Sequence, residues 1–212
     1  MKSNYYFVKS LEEDFYTKTL KGKVKVNFQS IENMIETKII RPNTKSFGRK
    51  SRLSTTILSP NYTKTYRSQG IIFQTKIAPS YILPFDLVVL SNVEKLVVHY
   101  YRIKNNLHLY YNHQLIPGFE KFIFKNFNQL LGRFPSHESV WKEVNNFREI
   151  AGFKKMSLSK RRLIEYNEAV FERFVPIRPV AIFGYSKKAR LLAQKYKLSH
   201  FRTAKEFYRK NS

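Results

Sequence analysis

Residues 55–69 read TTILSPNYTKTYRSQ, and the fold turns on how they are taken. Thr55–Leu58 are β-branched or aliphatic, the residue types that suit a pleated, half-buried surface. Ser59-Pro60 breaks the run, because proline fixes its own φ and has no amide hydrogen to give to a ladder. Lys64 and Arg67 follow among tyrosines and small hydroxyl residues, with no acidic group between them. The stretch reads as a strand ending in a hydrogen-bonding, positively charged tip.

A second β-branched run, Ile71–Ile77, lies beyond it. Thr37–Ile40 leads in through Arg41-Pro42 and the irregular basic segment NTKSFGRKSR at 43–52. Residues 37–77 therefore predict an extended two-stranded arm with a basic tip, carrying no Asp or Glu between Lys38 and Ile77. On the N-terminal side, Tyr5–Lys9 reads as a short strand. Leu11–Leu20 reads as a helix, with Ser10 as N-cap and Glu12, Glu13 and Asp14 at its positive start. Lys23–Phe28 alternates like a half-buried strand, and Ser30–Glu36 suits a further helical turn or two. On the C-terminal side, Asn92–Arg102 has the apolar spacing of a helix, and Leu107–Tyr111 reads as a strand after the Asn105-Asn106 turn signal.

The expected fold class is therefore α+β, a ferredoxin-like βαββαβ core with a long protruding β-hairpin arm. After Pro117 the pattern becomes helical. Phe119–Leu131, Ser136–Ile150, Ser157–Phe174, Ser186–Tyr196 and Thr203–Arg209 form a mainly α-helical, basic C-terminal extension. The division is residues 1–115 as an RNA-binding domain and 116–212 as the extension.

Charge directs the functional reading. Against 39 Lys and Arg the chain sets only 15 Asp and Glu, a formal net charge of +24. A compact body with that excess repels itself, so a polyanion belongs beside it, nucleic acid before an anionic membrane surface. A 42% hydrophobic content still demands a packed core. The absence of cysteine excludes disulfides, thiolate zinc sites and thiol catalysis. The N-terminus lacks the apolar core of a secretory signal and carries acids too early for a transit peptide. Heavy use of Phe, Tyr, Ile, Asn and Lys is what an AT-rich coding sequence produces, as in organelle genomes or AT-rich bacteria.

The arm resembles the S-ten family of small-subunit ribosomal proteins. That family's hairpin runs roughly L-P-T-K, a basic gap, then R-x-T-V-L-R-S-P-H-V-x-K-K-S-R-E-Q-F. Here Arg41-Pro42-Asn43-Thr44-Lys45 is similar to the first part; Arg52, Thr56-Ile57-Leu58, Ser59-Pro60, Lys64 and Arg67-Ser68-Gln69 are similar to the second. Val8-Lys9-Ser10 followed by acids resembles the family's first strand and its exit. The sequence departs by lacking a basic residue before Ser59, by Asn61 in place of a histidine, by Gly70 in place of a phenylalanine, and by a longer gap between Lys45 and Arg52. The likeness covers roughly the first half of the chain. It implies the split βαββαβ fold, a place in the head of the small ribosomal subunit between ribosomal RNA and neighbouring head proteins, and no enzymatic activity there.

The residues support RNA contact on their own. Lys45, Arg49, Lys50, Arg52, Lys64 and Arg67 would neutralise phosphates; Thr55, Thr56, Ser59, Asn61 and Thr63 would donate to phosphate or 2′-hydroxyl oxygens; Tyr62 and Tyr66 would stack on unpaired bases. In the extension, Lys160-Arg161-Arg162 and Lys187, Lys188 and Arg190 are further candidates. No acid falls between Arg173 and Lys205, so the last segment lacks the i,i+4 partners that a solvated basic helix uses.

The alternative is an RNA-processing ribonuclease on a ferredoxin-like fold, with a general base among His99, His108, His113, His137 and His200. None of the nucleotide-binding glycine loops or metal-spaced ligand sets is present in the sequence. A peripheral subunit of a membrane complex ranks third. The expectation is a structural, rRNA-binding protein of the small ribosomal subunit with no cofactor, no membrane and no small-molecule substrate. Its expected place is the mitochondrial matrix, otherwise the cytoplasm of an AT-rich bacterium.

Overall fold

The computed structural model describes residues 5–10, 15–19, 22–26, 29–42, 53–65, 67–85, 98–103, 106–111 and 114–212. The chain is mixed α/β, with a seven-stranded sheet as its largest and five α-helices among the described residues. It divides into two compact units, residues 1–80 with 170–212, and residues 81–169.

The first unit is built around β1 (Phe7–Ser10), the strand expected at the N-terminus. On one side it pairs antiparallel with β5 (Leu53–Ile57), with Phe7 opposite Ile57. On the other it pairs antiparallel with β6 (Gly70–Gln74), from Phe7–Phe73 to Ser10–Gly70. The two runs expected to form an arm with each other thus lie on either side of a third strand. The reason is burial: Leu53, Ile57, Ile71, Ile72 and Phe73 are all within the core, and β6 has consecutive buried residues, the mark of a strand covered on both faces. A projecting hairpin would leave one of those faces in water.

Beyond β6 lies β13 (Arg178–Phe183), antiparallel to it, and then β14 (Ser199–Phe201), parallel to β13. The helix α4 (Lys187–Lys195) makes the crossover that a parallel pair requires. Residues expected in a helical extension therefore supply β13, which shares the sheet with the N-terminal strands. Its Phe183 fits over Gly70: a Cβ added at Gly70 would lie 2.9 Å from the Phe183 ring and 2.2 Å from the Lys9 carbonyl oxygen. A side chain at position 70 has no room between them. On one face, Val8, Ile72, Ala181 and Phe183 pack with Ala204 and Phe207 of the last helix, α5 (Ala204–Asn211). Elsewhere in the unit, the Phe7 ring stacks on Phe73 and meets Phe171 edge-on, each at 5.6 Å between centroids.

Two expected helices are strands where they are described. β2 (Phe15–Thr19) pairs with β3 (Gly22–Val26) from Phe15–Val26 to Thr19–Gly22, replacing the helix expected over 11–20. Its residues FYTKT are aromatic and β-branched, and they prevail over the capping signals at Ser10 and the acids after it. The short helix α1 (Ile31–Thr37) does form, with the Ser30 hydroxyl accepting from the Asn33 amide. It leads into β4 (Ile39–Ile40), which pairs with β12 (Val175–Pro176).

In the second unit, β8 (Val98–Ile103) pairs with β9 (Asn106–Tyr111), and β9 with β10 (Gln114–Ile116). β8 takes the place of the second half of the helix expected over 92–102. Its sequence VHYYRI satisfies a strand locally, and β9 supplies the ladder. With β2 and β8 in place of helices, and β1 between the two runs of the expected arm, the described order is not a simple βαββαβ. The helices α2 (Phe127–Arg133) and α3 (His137–Ile150) follow. Ser136 caps α3 as expected, in a reciprocal box with Ser139. Phe122 stands at the centre of the aromatic core, 5.2 Å from Phe85, 5.9 Å from Phe134 and 5.5 Å from Phe147 between ring centroids. The helix expected over 157–174 is instead a 3-10 segment, Leu158–Ile164, and then the buried strand β11 (Glu168–Phe171). The strand β7 (Tyr81–Leu83) is fully buried.

Candidate nucleic-acid interface

The stretch at 55–69 folds differently from the tip it was expected to be. Ser59 and Tyr62 exchange backbone hydrogen bonds of 3.2 and 3.0 Å around Pro60-Asn61, and proline at the second position of such a reversal comes with its φ preset. The turn directs polar side chains inward. Thr55, Thr56 and Ser59 are only 4–5% exposed and Tyr62 is wholly enclosed, so none of them faces a phosphate or a base on the surface. Burial pushes the Tyr62 phenol well above its usual range. Of the stretch's cations, Lys64 is exposed and Arg67 half-buried, with the Thr65 hydroxyl donating to the Arg67 carbonyl at 2.7 Å. Asn61 stays at the surface. Lys45, Arg49, Lys50, Arg52 and Tyr66 lie outside the described residues.

In the C-terminal half the expected cations separate into two groups. Lys160, Arg161 and Arg162 lie in the 3-10 segment of the second unit, where Arg161 is paired with Glu138. Close by in sequence, Lys155 pairs with Glu149 at 3.0 Å. Arg161 and Lys155 are thus partly neutralised by carboxylates of α3.

Lys187, Lys188 and Arg190 belong to the first unit and share one helix, α4. Its buried side is Ala189 and Ala193, one turn apart, which lets the helix lie close upon its strand. At 3.6 residues per turn the rest of the helix faces outward, and Lys187, Lys188, Arg190 and Leu191 are all exposed there. The far end of the helix is held by α1. Lys195 pairs with Glu32 at 2.5 Å, and the Tyr196 hydroxyl donates to Glu36 at 2.5 Å and to Glu32 at 3.2 Å. Hydrogen bonds from Lys195 and Tyr196, then the Lys195 charge, hold Glu32 below the usual carboxylate range; the same bond raises Lys195. The carboxylates of α1 thus engage the C-terminal end of α4, and the Lys188 charge also reaches Glu32; the first turn of α4 carries no acidic residue of its own.

Of the histidines weighed as bases, the four among the described residues sit on four different elements. His200 holds its Nε2 2.9 Å from the Gly184 carbonyl, and His137 is half-buried at the start of α3. His99 and His108 sit on β8 and β9, and His113 lies outside the described residues. Among the described residues no three His, Asp or Glu side chains converge as a metal site, and no helix is long and apolar enough to cross a membrane. Sequence spacing missed one neighbourhood, where β4 pairs with β12 and Ile40 lies opposite Val175, next to Arg41 and Phe174 in their respective chain segments. Set against family models, curated proteins and solved structures, the chain matches none.

Proposed function

We propose that the protein is a non-catalytic, RNA-binding structural component of the small ribosomal subunit, related to the S-ten family and working in a mitochondrial ribosome. It contacts ribosomal RNA and neighbouring head proteins and supports translation without a cofactor. The observation that carries the reading is the folded cationic surface of the C-terminal segment. From Arg173 to Lys205 there is no carboxylate, and Lys187, Lys188 and Arg190 stand exposed on a helix whose other side is packed. Such a surface is tolerated beside phosphates and is otherwise a source of self-repulsion. The S-ten motif adds a second strand of support at 41–69, in which the basic residues of 43–52 and Lys64 carry the contact. The buried Thr56 and Ser59 shape the turn instead.

The test is binding of the purified protein to a transcript of small-subunit ribosomal RNA across a salt series. The triple variant Lys187→Gln, Lys188→Gln, Arg190→Gln keeps good helix formers on α4. It should bind more weakly and flatten the log–log salt slope by roughly two to three, about 0.7–0.9 for each phosphate that is no longer neutralised. A slope unchanged from the parent removes α4 from the interface, and undetectable binding by the parent refutes the function.

A further inference from the structure

The residues flanking the β4–β12 ribbon expose an aromatic ring and several cations. Ile40 and Val175 oppose each other and are both completely buried, so by strand alternation the residues on either side of them face outward. Pro176 opposes Ile39, and the register carried one residue further sets Phe174 opposite Arg41. Phe174 is 64% exposed, although it is a large aromatic in a chain that buries most of its described rings. Arg41, Lys38 and Arg173 beside it in the two chain segments are all exposed. Of the carboxylates nearest in sequence, Glu36 accepts from Tyr196 and Glu172 is half-buried.

The ribbon is held rigidly. Gln29 donates to the Ile39 carbonyl and accepts from the Arg41 amide, both at 2.8 Å. The Ile177 amide reaches the Lys38 carbonyl at 2.9 Å, and the Thr75 hydroxyl donates to the Pro176 carbonyl at 2.7 Å. An exposed ring on a clamped backbone, with Arg41 and Arg173 exposed in the adjoining chain, has little entropy left to lose on binding. Its charge is complementary to phosphate, and its flat apolar surface is complementary to a base.

We infer that this face is a binding site for an unpaired nucleotide of RNA. The base stacks on Phe174, and Arg41 and Arg173 hold the flanking phosphates. This rests on the RNA-binding reading above and names the form of RNA that this part of the surface recognises. A stacking ring tolerates any base, whereas a regular duplex hides its base faces and offers only phosphates and groove edges.

The experiment measures anisotropy of a fluorescein-labelled single-stranded RNA and of a blunt-ended RNA duplex of the same length. Phe174→Ala should lower affinity for the single strand on the order of tenfold, with duplex affinity unchanged. Phe174→Trp should restore or exceed the parent. Arg41→Gln with Arg173→Gln should weaken both RNAs and shallow the salt slope by roughly one to two. If Phe174→Ala binds the single strand as the parent does, or weakens both RNAs equally, the stacking site is overturned. The former includes the case in which an acidic or aromatic protein surface is the true occupant. A parent protein that binds neither RNA refutes the function proposed above, a result distinct from either.

Discussion

Gly70→Ala tests the packing that joins the C-terminal segment to the N-terminal strands. A Cβ at this position would lie 2.2 Å from the Lys9 carbonyl oxygen, 2.9 Å from the Ser10 Cα and 2.9 Å from the Phe183 ring. Two of the three obstacles are backbone, so a rotamer change cannot relieve them. Reaching an ordinary separation of about 3.5 Å requires β1 and β6 to part by more than about 1 Å. That strains the rungs Ser10–Gly70 and Lys9–Ile71, and it lifts Phe183 from the core cluster. Overpacking costs about 1–3 kcal/mol, and a weakened rung adds about 1 kcal/mol. The smaller conformational freedom of alanine in the unfolded chain returns about 0.4–1 kcal/mol. The net destabilisation is about 1–3.6 kcal/mol, which in a chain of this size lowers the melting midpoint by roughly 2–14 °C. Far-UV circular dichroism melts would show it. Gly132→Ala is the control, since nothing lies within 4 Å of a Cβ there and the residue is helical. It should be neutral or stabilising by up to about 1 kcal/mol. A Gly70→Ala variant that melts with the parent refutes the account of β1, β6 and β13 as one packed sheet.

The Glu32–Lys195–Tyr196 link between α1 and α4 gives a pH test. A carboxyl held below its unfolded value contributes stability above that value, about 4.3, and loses it as the pH falls through the folded one. Glu32→Gln should therefore melt below the parent at neutral pH, and the gap should close in the acid range. A gap that is constant from pH 7 to pH 3 contradicts the link. Ser136→Ala should cost about 1 kcal/mol by removing the cap of α3, read by urea denaturation, with Ser136→Asp close to the parent. Equal stability of Ser136→Ala would mean that the capping box contributes nothing.

Where local chemistry and tertiary demand agreed, the fold was legible. The helices behind Ser30, Ser136, Ser186 and Thr203 begin where a hydroxyl satisfies an amide at the first turn, and each cap is visible in sequence. The strands at 7–10, 53–57, 70–74 and 106–111 carry β-branched or aromatic residues that have few other uses. What the sequence could not convey was partner choice. Leu53–Ile57 and Gly70–Gln74 look like two arms of a hairpin because they are neighbours along the chain. Yet β1 lies between them, and the far-off β13 flanks β6. FYTKT and VHYYRI read as helical because helix-start signals and apolar spacing mask their aromatic and β-branched content.

The candidate interface was legible as charge and not as position. The absence of acids from 173 to 205 drew attention to α4, where Lys187, Lys188 and Arg190 are exposed. The hydroxyl groups of Thr56 and Ser59 look available in sequence because a break at Pro60 suits the end of a finger. In the folded protein that turn packs its polar residues inside. Phe174 and Arg41 carried no joint signal, since only the pairing of β4 with β12 relates their two chain segments.

Sedimentation of the native protein through a sucrose gradient is the most direct measure of the proposed role. It should travel with small-subunit particles, remain with them at moderate salt, and be released when their RNA is digested. Recovery at the top of the gradient, free of ribosomal RNA under conditions that keep the particles intact, would contradict it.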